Sequence, residues 1–244
     1  MQWLHMQSVG NSFAVIDGRG ENLNYPEVAK RLCSVAGTDG FIALDESKIA
    51  DFRMHFYNRD GSRASMCGNG CRCICRFAYD LGLVGEDMTV QTDAGLVPGK
   101  RLSHSRYRIG LPAAGDIRLQ IRPGVDFCVC GVPHAVVEVT KKEALLAWAK
   151  DLRWAYDCNV NFYTRLGENL VEAVTFERGV EDFTPACGTG CGAITAVLYT
   201  SGNLPEKKLT AINPGGKLNM QMTEEFIFQT GNAEVLRIYK VPIL

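Results

Sequence analysis

Two short elements of the sequence place a cysteine directly before closely spaced glycines: Cys67-Gly68-Asn69-Gly70 and Cys187-Gly188-Thr189-Gly190. A run typical of a helix follows each of them, so both cysteines are predicted to stand at the N-terminal edge of a helix. Unpaired N–H groups and a partial positive charge at such an edge lower the pKa of a thiol and bind a carboxylate. These residue types at this spacing predict thiol acid–base chemistry beside a bound carboxylate.

Two acidified thiols around one carboxylate would suit exchange of the α-proton of an amino acid. One thiolate removes the proton from one face, and the other thiol delivers a proton to the opposite face, so the stereocentre inverts. No ring cofactor is needed if the carbanion forms beside the positive helix ends. A single element of this kind is also typical of a tight turn with a buried cysteine, but a two-base reaction requires a cysteine in each of two elements.

The other eight cysteines are interpreted as buried packing residues, which is the usual place of a free thiol. The N-terminal residues show no secretory signal and the chain is long enough for a large core, so a disulfide framework is not expected. Close spacings of Cys-x-Cys and Cys-x3-Cys do not match a zinc site, and no metal is predicted. These cysteines are Cys33, Cys71, Cys73, Cys75, Cys128, Cys130, Cys158 and Cys191.

Composition excludes several classes of partner. The 244 residues include 26 Lys and Arg against 27 acidic residues, a net charge of −1, which argues against binding to nucleic acid or to an anionic membrane surface. Apolar residues make up 46% and charged residues 22%, as in a globular protein with a substantial core. The expected location is the cytoplasm.

An internal repeat organises the chain, with the second copy 120 positions after the first. Phe56 falls on Phe176, Cys67 on Cys187 and Gly95 on Gly215. With a slip of one residue, the segment 10–15 also matches 131–136. The chain is therefore predicted to be two copies of one unit.

Each copy is predicted to contain the same elements in the same order. A β-rich run (13–16; 134–137) precedes a helix, which has Pro26 in its first turn in copy one and a capping box at 140–143 before 144–152 in copy two. A strand follows (52–57; 170–176). The Cys-Gly-x-Gly element then begins a helix (69–81; 189–199) that ends at Gly82 or Gly202. Strands complete each copy.

The predicted fold class is α/β with two domains from an internal duplication. The first domain comprises residues 1–111, to which residues 233–244 return, and the second comprises residues 112–232. The segment Leu111-Pro112-Ala113-Ala114-Gly115 within 110–126 is interpreted as the linker.

Ordered motifs along nearly the whole chain resemble those of the diaminopimelate epimerase family. They are Gly10-Asn11-Ser12-Phe13, Asn58-Arg59-Asp60-Gly61-Ser62, Met66-Cys67-Gly68-Asn69-Gly70, Asn159-Val160-Asn161-Phe162, Glu177-Arg178-Gly179, Ala186-Cys187-Gly188-Thr189-Gly190 and Pro214-Gly215-Gly216. The resemblance implies an isomerase, independent of cofactors, that interconverts LL- and meso-2,6-diaminopimelate for lysine and peptidoglycan synthesis. It also implies two pseudo-symmetric domains, each a mixed sheet wrapped around a central helix, with the active site in the cleft, and a homodimer.

Roles carry over from the resemblance position by position. Cys67 and Cys187 match the catalytic pair, and His134 and Glu177 match residues that tune the thiols. A simpler interpretation exists for several: Asn11 and Asn58 as turn residues, Arg178 with Glu177 as an ion pair, and His134 as a structural histidine. The matched substrate-binding residues are Asn11, Asn58, Gly68, Asn69, Asn159, Glu177, Arg178, Gly188 and Thr189.

Two departures from the family pattern concern the substrate. Val132 stands where the family usually has asparagine, and it offers no amide to a substrate carboxylate. The chain is also shorter than typical members between Lys100 and Val125. An alternative hypothesis is therefore a racemase or epimerase of a different amino acid. A third is a relative that isomerises without thiols, or a binding protein without catalysis, against which both retained cysteines argue.

Overall fold

The computed structural model describes residues 2–140 and 145–240. The chain divides into two compact units, of which the first comprises Met1–Ile109 with Gly231–Leu244 and the second Gly110–Thr230. The sequence places these boundaries after residues 111 and 232. The chain thus leaves the first unit after one copy of the repeat and returns to it at the end.

The first unit is built around a helix with strands on several sides. Its central helix α2 packs against β1, β2, β3, β4, β6 and β7. Its elements are β1 (Trp3–Ser8), β2 (Asn11–Asp17), α1 (Tyr25–Ala36), β3 (Gly40–Asp45), β4 (Phe52–Asn58), β5 (Arg63–Ala64), α2 (Gly68–Asp80), β6 (Asp87–Thr92), β7 (Gly95–Arg101), most of β8 (Arg106–Pro112) and, from the returning segment, β18 (Glu234–Tyr239).

The second unit repeats this plan. Its central helix α4 packs against β9, β10, β11, β12, β15 and β16. Its elements are β9 (Gly115–Arg122), β10 (Val125–Cys130), β11 (Val132–Glu138), α3 (Leu145–Tyr156), β12 (Asn159–Gly167), β13 (Leu170–Glu177), β14 (Asp182–Thr184), α4 (Gly188–Thr200), β15 (Lys208–Asn213), β16 (Gly216–Met222) and most of β17 (Phe226–Asn232).

Both units have mixed sheets with equivalent pairings. β2–β3 and β4–β6 are parallel, as are β11–β12 and β13–β15, and the hairpins β1–β2, β3–β4, β6–β7, β10–β11, β12–β13 and β15–β16 are antiparallel. The first strand of each repeat also receives an outer antiparallel strand, β18 on β1 and β9 on β10. The mixed α/β class predicted from the sequence is confirmed.

Pairing across the parallel ladders identifies the counterparts in the two units. Phe13 lies opposite Gly40 in the first unit, and His134 lies opposite Asn159 in the second. Gly40 on β3 therefore corresponds to Asn159 on β12. Two positions further along these strands, Ile42 is the counterpart of Asn161.

The antiparallel ladders correct the predicted superposition of the repeat. Phe56 pairs with Ala64, and Thr175 pairs with Thr184. Ala64 and Thr184 each lie three residues before their cysteine. Phe56 is therefore the counterpart of Thr175 rather than of Phe176, because the loop that follows is one residue longer in the second unit.

A similar correction applies to the turn after the central helix. Gly95 pairs with Thr92, and Gly216 pairs with Asn213. Gly95 therefore corresponds to Gly216 rather than Gly215. Both glycines have positive φ angles, 117° and 138°, which L-amino acids with side chains rarely adopt.

The segment predicted to be a linker lies next to the boundary between the two units and is mostly strand. β8 continues to Pro112, β9 begins at Gly115, and Ala113 and Ala114 separate them. The proline and the glycine lie at strand ends, where neither disrupts a ladder.

The helices outside the centre follow amphipathic patterns. α1 begins with Tyr25 and Pro26 and buries Val28, Leu32 and neighbouring residues against the sheet. It ends at Gly37, whose φ of 68° is the left-handed conformation common after a helix. In the second unit α3 is described from Leu145, and the predicted capping box, apart from its first residue, lies outside the described residues together with position 144.

The cysteines are free, and those outside the Cys-Gly-x-Gly elements are buried. Among the described residues, no group of three or more His, Cys, Asp and Glu side chains could hold a metal ion. Within the same residues, no helix is long and apolar enough to cross a membrane.

Candidate active site

Cys67 and Cys187 cap the N-termini of α2 and α4, as the sequence predicts. Both have extended backbones, with φ and ψ of −136° and 121° at Cys67 and of −117° and 111° at Cys187. Each Sγ accepts a hydrogen bond from the N–H group three residues later, at 3.5 Å from Gly70 and 3.4 Å from Gly190. Each thiol is thus held directly at the positive end of its helix.

The residues between each cysteine and that glycine form the first turn of the helix. They are Gly68 and Asn69 in α2, and Gly188 and Thr189 in α4. N–H groups in a first turn have no carbonyl partner within the helix, so they are suited to bind an anion. Both helix ends therefore offer the donors that a carboxylate requires.

Apolar side chains lie beneath the first turn of α2. A methyl group at Gly70 would lie 2.9 Å from Cδ1 of Ile42, 3.3 Å from Cε of Met54 and 3.5 Å from Cε1 of Phe13. Phe13 also packs edge-on against Phe56, with ring centroids 6.1 Å apart. The Cys67 helix thus stands on hydrophobic core.

Polar side chains occupy the corresponding place beneath α4. A methyl group at Gly190 would lie 2.2 Å from Oδ1 of Asn161 and 2.8 Å from Oγ1 of Thr175. The Thr175 hydroxyl donates to Oδ1 of Asn161 at 2.9 Å, and Nδ2 of Asn161 lies 3.0 Å from Nδ1 of His134. These three residues, which we call the buried triad, are the counterparts of Phe56, Ile42 and Phe13.

His134 is neutral in this environment. Burial lowers its pKa to about 4, against a weaker opposing effect of its hydrogen bond with Asn161. Since an amide N–H only donates, Nδ1 accepts and the ring carries its proton on Nε2. His134 thus presents a fixed dipole at neutral pH rather than a positive charge, and through Asn161 it reaches the first turn of α4.

Cys187 retains its proton more strongly than its helix position alone would predict. Burial raises the pKa of this thiol well above its usual value, and the charge of Glu177 raises it further. Hydrogen bonds with Thr189 and with the Gly190 N–H group oppose that shift. The expectation that both thiols are acidified is therefore wrong for Cys187, because removal from water outweighs the helix end.

Glu177 is the carboxyl group linked to this thiol. It accepts a hydrogen bond from Oγ1 of Thr184 at 2.6 Å. Burial raises the pKa of Glu177, and its hydrogen bonds with Thr184 and Cys187 lower it in part. In the first unit the strand that corresponds to β13 is β4, which ends in Asn58. At this pair of equivalent positions, the second unit has a carboxyl group and the first has an amide.

Arg178 does not pair with Glu177 as the simpler interpretation supposed. Its Nη1 atom donates to the backbone carbonyl and to Oδ2 of Asp157, each at 2.9 Å. Asn159 accepts the Arg178 N–H group with its Oδ1 at 2.8 Å. The structure therefore brings Asn159 and Arg178 together and leaves the guanidinium about one-third exposed.

The two remaining predicted asparagines stand at strand ends in the first unit. Asn11 begins β2 and accepts a hydrogen bond from Nδ2 of Asn69. Asn58 is exposed at the end of β4, where its Nδ2 donates to Oγ of Ser62 at 2.9 Å, as a turn residue does. Val132, which begins β11, is the counterpart of Asn11 and is 36% exposed.

Several polar residues next to the cysteines were not predicted. Asn161, Thr175 and Gln229 are buried beneath α4, and the amide of Gln229 lies within 2.8 Å of a methyl group built at Gly188. The buried Arg72 extends from α2. A usable signal existed for Asn161, since an asparagine between Val160 and Phe162 at the start of a strand indicates a buried hydrogen bond.

Comparison with known proteins gives consistent results. Residues 4–107 match the family described as diaminopimelate epimerase. The diaminopimelate epimerase of Aquifex aeolicus is 31% identical over 99% of this chain and 96% of its own length. The diaminopimelate epimerase of Campylobacter jejuni is 32% identical over 92% of both chains.

Solved structures share the fold at lower identity. A phenazine biosynthesis protein of the PhzF family from Bacillus anthracis superposes with a TM-score of 0.76 at 15% identity, over 99% of both chains. A probable proline racemase from Agrobacterium radiobacter superposes with a TM-score of 0.74 at 17% identity, over 99% of this chain and 92% of its own. At such identities the likeness concerns the fold alone.

Proposed function

Because the chain belongs to the diaminopimelate epimerase family of isomerases, which act on amino acids without pyridoxal phosphate, we propose that it interconverts LL- and meso-2,6-diaminopimelate. The observation that carries the proposal is the pair of cysteine-capped helix ends, one in each unit. Two proton-exchanging groups of one kind, each beside donors for a carboxylate, are what inversion at an α-carbon requires.

The proposed reaction transfers two protons. Cys67, as thiolate, removes the α-proton, and the electron pair passes into the α-carboxylate, which N–H groups of Gly68, Asn69, Gly188 and Thr189 hold. The Cys187 thiol then donates its proton to the opposite face of the same carbon. Cys67 ends as a thiol and Cys187 as a thiolate, so the protons balance and the reverse reaction starts from this state.

The environment of Cys187 supports this assignment of the donor. Burial and the charge of Glu177 raise the pKa of the Cys187 thiol, so it carries a proton before substrate arrives. Glu177 has a raised pKa of its own and a hydrogen bond with this thiol. We assign it to hold a proton temporarily while the two thiols return to their starting states.

The distal end of the substrate is assigned to Asn11, Asn58, Asn159 and Arg178. Arg178 has a suitable partner to exchange, because its ion pair with Asp157 joins a guanidinium one-third exposed to a carboxylate that is 76% exposed. Exposed pairs of this kind contribute about 0–1 kcal/mol. A substrate carboxylate with two parallel hydrogen bonds can therefore displace Asp157 at little cost.

A racemase or epimerase of another amino acid is the second candidate. It is favoured by Val132, an apolar side chain at the position where the first unit has Asn11. A substrate with a less polar side chain would not need a hydrogen bond from this position.

Exchange of α-protons in deuterium oxide tests both candidates. LL-diaminopimelate, meso-diaminopimelate and a panel of amino acids with neutral side chains are incubated with reduced enzyme, and loss of the α-proton signal is followed by NMR. Exchange together with interconversion of the LL and meso forms is the expected result. If only amino acids with neutral side chains exchanged their α-protons, the second candidate would replace the proposal. If the folded enzyme exchanged the α-proton of no amino acid tested, both candidates would be overturned.

A homodimer is part of the proposal, as the family resemblance implies. β18 pairs with β1 and exposes about half of the surface of Leu236 and of Ile238, an apolar strand face that a second copy would cover. Light scattering that gives the mass of a single chain at micromolar concentration would contradict it.

A further inference from the structure

Arg72 is a buried cation on the central helix of the first unit. It has no exposed surface, and it lies five residues after Cys67 in α2. Its Nε donates to Oγ of Ser8 at 3.0 Å, and its Nη2 donates to Oδ1 of Asn69. A buried charge is costly unless it is well hydrogen-bonded, so this position calls for an explanation beyond packing.

A guanidinium group has N–H donors and no acceptor, which determines the orientation of the amide beside it. Asn69 must turn its oxygen towards Arg72 and its Nδ2 away. That Nδ2 donates to Oδ1 of Asn11. Asn11 in turn has its oxygen directed at Asn69, so its own Nδ2 is the opposite end of the amide. The direction of donation thus passes from Arg72 through Asn69 to Asn11.

The other side of Arg72 is anchored to the sheet. Oγ of Ser8 accepts from Arg72 and donates to the backbone carbonyl of Asn232 at 2.5 Å. Oδ1 of Asn232 accepts from the Val9 N–H group at 2.9 Å, and Nδ2 of Asn232 donates to Glu234 at 2.9 Å. The guanidinium is therefore held by strands on one side while it orients an amide on the other.

The second unit lacks this arrangement at every step. Gly192 lies five residues after Cys187, where the first unit has Arg72, and a methyl group there would lie 2.8 Å from Sγ of Cys130. Thr189 replaces Asn69 and Val132 replaces Asn11. A cation, an amide and a second amide are thus present together in one unit and absent together from the other, which fits one joint role.

We propose that Arg72 is a positioning residue that orients Asn69 and Asn11 so that Asn11 offers an N–H donor to a carboxylate oxygen of the bound amino acid. This identification of the ligand group rests on the proposed function. An acceptor at the same place would attract the ammonium group of the substrate instead. Arg72 therefore determines whether Asn11 binds the carboxylate or the ammonium group of the amino acid.

The test compares kcat and KM of four variants with the amino acid that the wild type exchanges. Asn69→Asp keeps an oxygen for Arg72 but cannot donate to Asn11, so the Asn11 amide must reverse and present its oxygen. We expect KM to rise at least about tenfold, as for a lost hydrogen bond to a charged group, with kcat changed much less. Asn11→Asp should raise KM by a similar factor, because a carboxylate repels a carboxylate.

Arg72→Met and Arg72→Lys separate orientation from structural support. Arg72→Met should raise KM, and Arg72→Lys, which keeps a donor, should restore part of the loss. Equal losses of kcat/KM in both, in proportion to a fall in melting temperature, would mean that Arg72 supports the fold alone. If Arg72→Met does not fold, the two aspartate variants decide the question. An unchanged KM in Asn69→Asp, or a lower KM in Asn11→Asp, overturns the proposal.

A second readout does not depend on catalysis. In enzyme labelled with 15N-asparagine, the side-chain NH2 protons of Asn69 should exchange slowly with solvent, and faster in Arg72→Lys and in Asn11→Ala. Slow exchange in a wild type that exchanges no amino acid would mean that the proposed function has failed while the orientation stands. Fast exchange in the wild type would refute the orientation itself.

Discussion

The ends of α2 and α4 have nearly the same backbone but opposite surroundings. Both begin at a cysteine with extended φ and ψ, and both thiols accept from the third N–H group of the helix. Beneath α2 lie Phe13, Ile42 and Phe56, whereas beneath α4 lies the buried triad. A second set of neighbours shows the reverse difference in polarity. The first unit has Arg72, Asn69 and Asn11, and the second unit has their smaller or less polar counterparts Gly192, Thr189 and Val132.

The difference separates what the two sites share from what each does. In the proposed reaction a helix end binds the carboxylate and a thiol exchanges the proton, and both copies have a cysteine at a helix end. The groups around the thiol decide its protonation, and there the copies differ, since Glu177 accompanies Cys187 and Asn58 stands at the end of the corresponding strand. A duplicated scaffold can therefore supply two chemically unequal thiols.

Removing either thiol should change activity more than any other substitution that tests the difference between the two helix ends. Cys67→Ala and Cys187→Ala should each reduce epimerisation by about 10³-fold or more, because inversion needs a proton donor and an acceptor. Each variant should still exchange the α-proton of one epimer, and the two variants should select opposite epimers, as followed by NMR in deuterium oxide. Cys71→Ala and Cys191→Ala, four residues further along each helix, are the matched controls and should retain activity. Selection of the same epimer by both active-site variants would contradict the assignment.

The buried triad should make the second unit sensitive to acid. The pKa of His134 in the folded protein is about 4, below its value of about 6.5 in an unfolded chain. The folded state thus favours the neutral ring, and the stability it contributes is complete above pH 6.5 and lost as the pH falls towards 4. Relative to His134→Gln, the wild type should lose about 3 kcal/mol of unfolding free energy over that interval. Urea unfolding at each pH measures these free energies. If they fell by the same amount in both proteins between pH 6.5 and pH 4, the prediction would be wrong.

A methyl group added beneath each helix should distinguish the apolar side chains under α2 from the buried triad under α4. At Gly190 it would collide with Asn161 and Thr175, whose hydrogen bonds hold them in place, whereas at Gly70 it meets the ends of Ile42 and Met54. Gly190→Ala should therefore destabilise the protein by about 2 kcal/mol more than Gly70→Ala, within the usual cost of overpacking. Thermal and urea unfolding measure the difference, and equal costs would mean that the triad yields as readily as the apolar side chains.

Removing the carboxyl group beside Cys187 should have the smallest of these effects. Since the charge of Glu177 raises the pKa of Cys187, Glu177→Gln should lower that pKa and move alkylation of the thiol by iodoacetamide to lower pH, measured in a Cys67→Ala background. In the otherwise wild-type enzyme, kcat should fall about tenfold, a modest share of what acid–base groups contribute. The exposed Glu168→Gln is the control. An unchanged alkylation profile would show that Glu177 does not act on this thiol.

Much of the local structure could be predicted because its causes are local. The cysteine and the glycines that follow it specify a helix end within four residues, and Pro26 marks the start of α1 in the same way. The repeat was visible because glycines and cysteines recur at a fixed separation. The family resemblance rests on the same short motifs and is confirmed by full-length relatives.

The arrangement around each thiol was not predictable because its causes are distant along the chain. Asn161 reaches His134 from 27 residues away, and Arg178 bonds Asp157 rather than the adjacent Glu177. The shift that equates Phe56 with Thr175 depends on ladder register, and a repeat found by matching letters cannot resolve one added loop residue.

The positions of the two thiols follow from short stretches of sequence: each thiol caps a helix, because backbone geometry over a few residues follows from the residues themselves. The protonation of a thiol and the orientation of an amide depend instead on the neighbours that the fold brings to them. The pKa of Cys187 depends on its removal from water and on the charge of Glu177, and the orientation of Asn69 depends on Arg72. Burial and hydrogen-bond direction are properties of packed neighbours, so they exist only once the chain has folded.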